Sequence, residues 1–131
     1  MKGRSLIVDD DTSMCDMLAV GLKKRGYEPV CVTTGNEALE LLSAQEFDVV
    51  VTDMNMRGIT GIELCQRAVE NRPDVPVIVI TAFGSMETAI AAMRAGAYDF
   101  IPKPVDMDAL EFALDFERIF YDDAPAVSNP S

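Results

Sequence analysis

The most informative run in the chain is Phe47-Asp48-Val49-Val50-Val51-Thr52-Asp53. Because it is short and rich in β-branched residues, it favours a strand over a helix, and its apolar centre indicates burial on both faces. The run ends at a carboxylate, Asp53, where the chain leaves the predicted sheet. Gly58 and Gly61 follow as predicted turn residues. We therefore take Asp53 as the candidate nucleophile of the chain.

The composition is that of one globular domain, with 131 residues, of which 49% are hydrophobic and 25% charged. The apolar runs are too short to span a membrane and the N-terminus lacks the pattern of a signal peptide, so we expect a cytoplasmic protein. The net charge of −11 argues against direct binding of nucleic acid by this domain. The chain has no histidine, which excludes a phosphohistidine carrier and a histidine metal site. Cys15, Cys31 and Cys65 are scattered, which predicts reduced thiols that pack as small hydrophobes.

Apolar strands alternate with helical segments along the whole chain. Strands are predicted at residues 5–8, 28–33, 47–53, 77–81 and 97–101. Pro29 in the second strand is consistent with an edge position. Helices lie between the strands. The first is capped by Thr12 or Asp11 and carries Cys15, Leu18 and Leu22 on its apolar face. The third is predicted over 60–71, with Ile62, Cys65 and Val69 pointing inward, and the last over 106–120. This order predicts an α/β fold, a flavodoxin-like (βα)5 doubly wound parallel sheet with strand order 2-1-3-4-5. We expect one domain over residues 1–121, followed at 122–131 by a disordered tail or the start of a linker.

In a sheet of this type, ligands bind beyond the carboxyl ends of the strands, at the point where the winding reverses. The residues that the strands deliver to that edge are Asp9 and Asp10 (first strand), Asp53 (third), Thr81 (fourth) and Lys103 (fifth). Crowded carboxylates repel one another unless a cation intervenes, and an all-oxygen set selects a hard ion. We therefore expect Mg²⁺, or Mn²⁺ in its place, bound by Asp10 and Asp53, by Asp9 directly or through water, and by the carbonyl of Asn55.

A carboxylate beside such an ion can attack a phosphoryl group and hold it as an acyl phosphate. The added negative charge has to be countered, and Lys103 is the cation predicted to face it. Thr81 can donate its hydroxyl to a phosphoryl oxygen. Asp53, Lys103 and Thr81 are thus the candidate catalytic residues, and positioning of charge is their main contribution.

Residues 6–11, 51–56, 80–82 and 102–104 resemble the receiver domain of two-component response regulators, and the resemblance covers about residues 4–120. It implies Mg²⁺-dependent phosphotransfer from a sensor histidine kinase to Asp53, with the receiver catalysing its own phosphorylation and dephosphorylation. Position by position, the resemblance also implies that Asp9 and Asp10 are the acidic pair and that Lys103 faces the phosphate. It further implies that Thr81 supplies the switch hydroxyl and Phe100 the switch aromatic ring. The bond between Lys103 and Pro104 is expected to be cis. Phe100 could instead be an ordinary core residue.

Residues 81–89 and 95–100 are similar to receivers of sigma-54-dependent transcription activators. This similarity implies a transcriptional output, signalled through the surface of the fourth helix, fifth strand and last helix. The loop after Asp53 departs from the family pattern, because Arg57 replaces a proline and Thr60 an aspartate. We expect this loop to be more flexible, Arg57 to add a cation near the pocket, and the preference for the kinase to be changed.

The last predicted helix has two apolar stripes. One stripe is Leu110, Ala113 and Leu114, and the other is Phe112, Phe116, Ile119 and Phe120. A helix with two apolar faces buries more than one partner, so the aromatic stripe predicts contact with a second subunit, as in a homodimer, or with a following domain. The alternative is that this stripe packs back on the same sheet.

Two other functional interpretations remain. A haloacid-dehalogenase-like phosphatase would use Asp9 as nucleophile with Asp11, and Asp122 and Asp123 as its acidic pair. This alternative is weaker because it leaves Asp53 without a role. A pseudo-receiver that only binds partners is disfavoured because every chemical position is filled.

Overall fold

The structure is a computed structural model that describes residues 3–82 and 86–115. Its strands are β1 (Gly3–Val8), β2 (Tyr27–Val32), β3 (Val49–Asp53), β4 (Val77–Thr81) and β5 (Asp99–Pro102). Its helices are α1 (Thr12–Lys24), α2 (Gly35–Ala44), α3 (Gly61–Asn71) and α4 (Met86–Arg94). One more helix, α5, covers residues 107–115. Within these ranges, no helix combines the length and the apolar character needed to cross a membrane.

The strands form one parallel sheet in the order β2-β1-β3-β4-β5, which confirms the predicted fold. The register pairs Val8 with Thr52 and Asp53 with Ile80. The residues that follow β1, β3 and β4 are therefore brought to the same edge of the sheet. β2 is an edge strand, as the proline within it predicted.

The core consists of two apolar layers, one on each face of the sheet. Leu6, Val50 and Val79 belong to the layer beneath α2 and α3, whereas Ile7 and Val51 belong to the layer beneath α1 and α5. All of these side chains are fully buried. Successive residues of a strand point to opposite faces, so an unbroken apolar run fills both layers at once. Each such side chain contributes roughly 1.5–3 kcal/mol through burial.

The first helix follows the sequence prediction closely. Its N-cap is Asp11, whose carboxylate accepts hydrogen bonds from the backbone amides of Ser13 and Met14. Lys23 and Lys24 lie in the last turn, where positive charge is favourable at the negative end of the helix dipole. Cys15, Leu18 and Leu22 are buried, as their spacing predicted.

Several details differ from the sequence prediction. In α3 the fully buried residues are Leu64, Cys65 and Ala68, whereas Ile62 and Val69, predicted to point inward, are only partly buried. β5 begins at residue 99 rather than 97, because the amide of Ala97 still bonds to a carbonyl of α4. Cys31 is exposed rather than packed in the core.

The last helix packs on the sheet through its first apolar stripe, since Leu110, Ala113 and Leu114 are 0%, 5% and 2% exposed. Phe112 of the second stripe is 73% exposed. Phe116, Ile119 and Phe120, the end of the predicted helix and residues 122–131 lie outside the described residues. The predictions made for them therefore stay predictions.

Candidate functional site

Three carboxylates converge at the edge formed by β1 and β3. Asp9, Asp10 and Asp53 each offer an oxygen atom, and these atoms lie within 4.8 Å of one another. Asp9 and Asp53 are buried, and Asp10 is partly exposed. These are the residues that the strand order predicted would meet, and their oxygen atoms form an acidic pocket that is open to solvent on the Asp10 side.

Backbone groups hold the acidic pair in place. The amide of Asp9 donates to the carbonyl of Val32 at 3.2 Å, and the carboxylate of Asp9 accepts from the amide of Asp11 at 2.9 Å. The carboxylate of Asp10 accepts from the amide of Arg57 at 3.0 Å. Burial raises the pKa of Asp9; the hydrogen bond from Asp11 lowers it, but the nearby charge of Asp53 raises it further.

Lys103, the residue directly after β5, faces the carboxylates. Its Nζ lies 2.9 Å from Oδ1 of Asp53, and its own amide donates to the carbonyl of Thr81 at 2.7 Å. The Lys103–Pro104 peptide bond is cis. Burial lowers the pKa of Lys103, but the hydrogen bond and the charge of Asp53 outweigh burial, so that this pKa is raised. The ammonium is therefore charged at neutral pH and partly compensates the crowded carboxylates.

The other predicted site residues lie around this cluster. Thr81 ends β4 and is 1% exposed, while Asn55 is exposed in the loop after β3. Phe100 lies farther out, in β5, and is only partly buried. It lines a surface groove together with Met86 and Met93 of α4, so it is not a core residue.

The structure also reveals two contacts beside the site that the sequence did not predict. Gly61, expected to be a turn residue, begins α3, and its amide donates to the carbonyl of Met54 at 2.8 Å. A Cβ atom at Gly61 would lie 2.1 Å from the carbonyl oxygen of Asp53, so only glycine lets α3 start this close to the strand end. Gly58, with φ of +77°, is a turn residue as predicted.

The other contact involves Arg57. Its Nε lies 3.7 Å from the carboxylate of Asp10, although its side chain is 92% exposed. The sequence predicted that Arg57 adds a cation near the pocket, but it did not identify Asp10 as its partner. No pattern in the chain predicted that the amide of Arg57 would donate to Asp10.

The sequence model of the response regulator receiver domain family matches residues 5–115 of the chain. The chain belongs to this family. The receiver is 38% identical, over 110 residues, to the transcriptional regulatory protein GlrR of Escherichia coli K12. That match covers 84% of this chain and 25% of GlrR, so the receiver spans about a quarter of the length of the curated relatives it matches.

Solved structures agree with this assignment. A response regulator from Chloroflexus aurantiacus J-10-fl superposes with a TM-score of 0.85 at 31% identity, over 88% of this chain and 97% of that one. NtrX from Brucella abortus superposes with a TM-score of 0.89 at 29% identity, over 100% of this chain and 30% of that one. The receiver is thus similar both to a protein of about its own length and to one part of a longer regulator.

Proposed function

We propose that this receiver accepts a phosphoryl group on Asp53 from the phosphohistidine of a sensor histidine kinase. The observation that carries the proposal is the ion pair between Asp53 and Lys103 within a cluster of three carboxylates. Asp53 is 5% exposed, but it lies at the carboxyl end of β3 and belongs to neither apolar layer. A carboxylate with this position can act as the nucleophile of phosphoryl transfer.

The donor set also supports a divalent cation at this site. The oxygen atoms of Asp9, Asp10 and Asp53 fit Mg²⁺ or Mn²⁺, which prefer oxygen ligands, and the carbonyl of Asn55 would complete the set. When bound, the ion would supply positive charge next to the transferring phosphoryl group. One ammonium among three carboxylates leaves the pocket negative, which favours entry of a cation.

Lys103 and Thr81 would position the phosphoryl group on the other side. The ammonium of Lys103 is already aimed at Oδ1 of Asp53 and would move to a phosphoryl oxygen as the group arrives. Thr81 is next to Lys103 in the sheet, because the register pairs it with Pro102, and its hydroxyl would donate to a second phosphoryl oxygen. Both contacts would stabilise charge that develops on the transferring group.

We propose that phosphorylation alters the surface formed by α4, β5 and α5. Thr81 would move toward the phosphoryl group, and Phe100, which is partly exposed beside α4, would turn into the space that Thr81 leaves. The two packings would exchange as a population shift, because the phosphoryl group makes better contacts in one of them. Exposed apolar residues on this surface, Met86, Ile90 and Met93, support a partner there, either a second copy of the chain or a domain that controls transcription.

The test is phosphorylation with acetyl phosphate and Mg²⁺, followed by reduction of the acyl phosphate with tritiated borohydride and peptide mapping. The reduction releases phosphate and leaves tritium-labelled homoserine at the residue that was phosphorylated. We expect the label at Asp53, none in Asp53→Asn, and none when the divalent ion is removed with EDTA. Asp11→Asn is the matched control, since it removes a nearby carboxylate while asparagine remains a good N-cap. It should be labelled like the wild type.

Label at Asp9 would refute this assignment and favour the phosphatase alternative. That alternative requires Asp11 near the reacting group, but the carboxylate of Asp11 caps α1. A protein that binds kinase without taking any label would be a pseudo-receiver.

A further inference from the structure

Two cysteine residues meet where α1 crosses β2, close to the acidic pair but outside the proposed site. The Sγ atom of Cys31 lies 3.2 Å from the carbonyl oxygen of Cys15. The Sγ atom of Cys15 lies 3.9 Å from the carbonyl oxygen of Val32, the residue that follows Cys31. Each thiol therefore contacts the backbone of the other's segment. Cys15 is buried at 2% exposure, whereas Cys31 is exposed.

The two thiols differ in how readily they ionise. Burial raises the pKa of both Cys15 and Cys31. A hydrogen bond between the two thiols raises the pKa of Cys15 further and lowers that of Cys31. Of the pair, Cys31 is thus both the thiol that ionises first and the one that a small molecule can reach.

We propose that Cys15 and Cys31 form a reversible disulfide by exchange with a low-molecular-weight disulfide. The thiolate of Cys31 attacks one sulfur of that disulfide, whose S–S bond breaks, and a mixed disulfide forms while a small thiolate leaves. Cys15 then loses its proton to solvent, and its thiolate attacks the sulfur of Cys31 and displaces the second small thiolate. Two protein thiols are oxidised, and the small disulfide is reduced to two thiols.

The bridge would act on the chain next to the acidic pair. The amide of Cys15 donates to the carbonyl of Asp11 at 3.0 Å, and the carbonyl of Val32 accepts from Asp9. A bond between α1 and β2 at this crossing would fix both segments that flank the turn carrying Asp9. In a reducing compartment such a bond is transient and reports the redox state, which makes this a modification site independent of the proposed phosphorylation.

Cys65 is the internal control. It is fully buried in the layer on the opposite face of the sheet, where its Sγ lies 3.6 Å from the carbonyl oxygen of Ala95. Burial raises the pKa of Cys65 to about 11. Cys15 belongs to the other layer, so the sheet separates Cys65 from the pair. Cys65 should stay reduced under conditions that oxidise the pair.

The experiment treats the dilute, folded protein with oxidised glutathione, alkylates the remaining thiols, and measures intact and peptide masses without reduction. We expect the wild type and Cys65→Ser to lose two free thiols, to keep no glutathione, and to yield a peptide pair joined through Cys15 and Cys31. Cys15→Ser should stop with one glutathione on Cys31, and Cys31→Ser should not react. Dithiothreitol should restore all thiols. Cys15→Ala repeats the Cys15→Ser experiment without placing a hydroxyl in the core. Circular dichroism checks the fold of each variant.

Three results would overturn the proposal. The first is a wild type that keeps glutathione on Cys31 while Cys15 is alkylated. The second is a bridge that involves Cys65. The third is a dimer linked through Cys31 as the sole oxidised product. Labelling of Asp53 with acetyl phosphate is measured in parallel, so that failure of the disulfide and failure of the phosphorylation proposal are distinguished.

Discussion

Replacement of Gly61 by alanine should destabilise the receiver even though alanine is the better helix former. A Cβ atom there would lie 2.1 Å from the carbonyl oxygen of Asp53 and 2.7 Å from the Cα of Met54. Both neighbours are backbone atoms at the end of β3, so no side chain can rotate away. Crowding of this kind costs about 3 kcal/mol, at the upper end of its usual range, because only a backbone shift relieves it. Replacing a glycine in a helix interior returns about 1 kcal/mol, and Gly61, as the first residue of α3, returns at most that.

The net loss for Gly61→Ala is therefore at least about 2 kcal/mol in the free energy of unfolding, measured by urea denaturation followed by circular dichroism. For a domain of this size, the melting temperature should fall by roughly 6–10 °C. Beryllofluoride with Mg²⁺ should also stabilise this variant less than the wild type, because the displaced backbone carries Asp53.

Gly21→Ala is the matched control. Gly21 lies inside a helix, α1, and its Cβ would lie 2.5 Å from a neighbouring atom. That atom is the terminal methyl group of Met107, which can rotate away at little cost. We expect Gly21→Ala to be neutral or up to about 1 kcal/mol more stable than the wild type. Equal stability of the two variants would show that contact with the strand end does not determine the cost at Gly61.

Three further predictions concern burial and charge. The hydroxyl of Ser5 is buried with no hydrogen-bond partner among the described residues, so Ser5→Ala should raise the free energy of unfolding by about 1 kcal/mol; a loss of stability on urea denaturation would contradict this. Asp10→Asn should stabilise the protein by about 1 kcal/mol in EDTA, because it removes one of the crowded charges, and should abolish most of the thermal shift caused by Mg²⁺. The pKa of Cys65, raised to about 11, makes the native state hold its proton where the unfolded state has lost it. Stability from this thiol is complete below about pH 9 and is lost as the pH rises toward about 11, by roughly 2 kcal/mol near pH 10.5. Cys65→Ala should show a correspondingly smaller alkaline loss, and an unchanged slope would refute the assignment.

The sequence predicted best what depends on local pattern. The apolar run before Asp53 and the run 77–81 were correctly assigned to central strands, because only a strand buried on both faces is apolar at every position. The cap at Asp11 and the buried face of α1 were predicted from residue type and spacing. In α3 the same method located the helix but misjudged the centre of its buried face. Apolar residues at 62, 64, 65, 68 and 69 form a wide stripe, and periodicity alone does not say which part of it faces the sheet.

What the sequence did not predict depends on tertiary contact. Gly61 looks like any loop glycine until the carbonyl of Asp53 is seen 2.1 Å from its absent Cβ. Arg57 likewise follows Asp53 in the chain, but its contact with Asp10 depends on how the loop folds back over the site. Residue types and strand order predicted which groups lie at the site. The distances between these groups depend on backbone contacts, which no sequence pattern predicts.

The charge balance of the site depends both on the strand order and on the contacts that hold the strand ends in place. The core residues of β1 and β3 are fully buried, and these strands hold Asp9 and Asp53 close together. In a flexible chain, the two carboxylates would move apart. Lys103 neutralises one of them from inside the cleft, and Arg57 approaches only from solvent. The excess negative charge is therefore imposed by the sheet and is available to a divalent ion. Loosening the strand ends should weaken the response to Mg²⁺ before it unfolds the protein, because the carboxylates would then relieve their repulsion by moving apart.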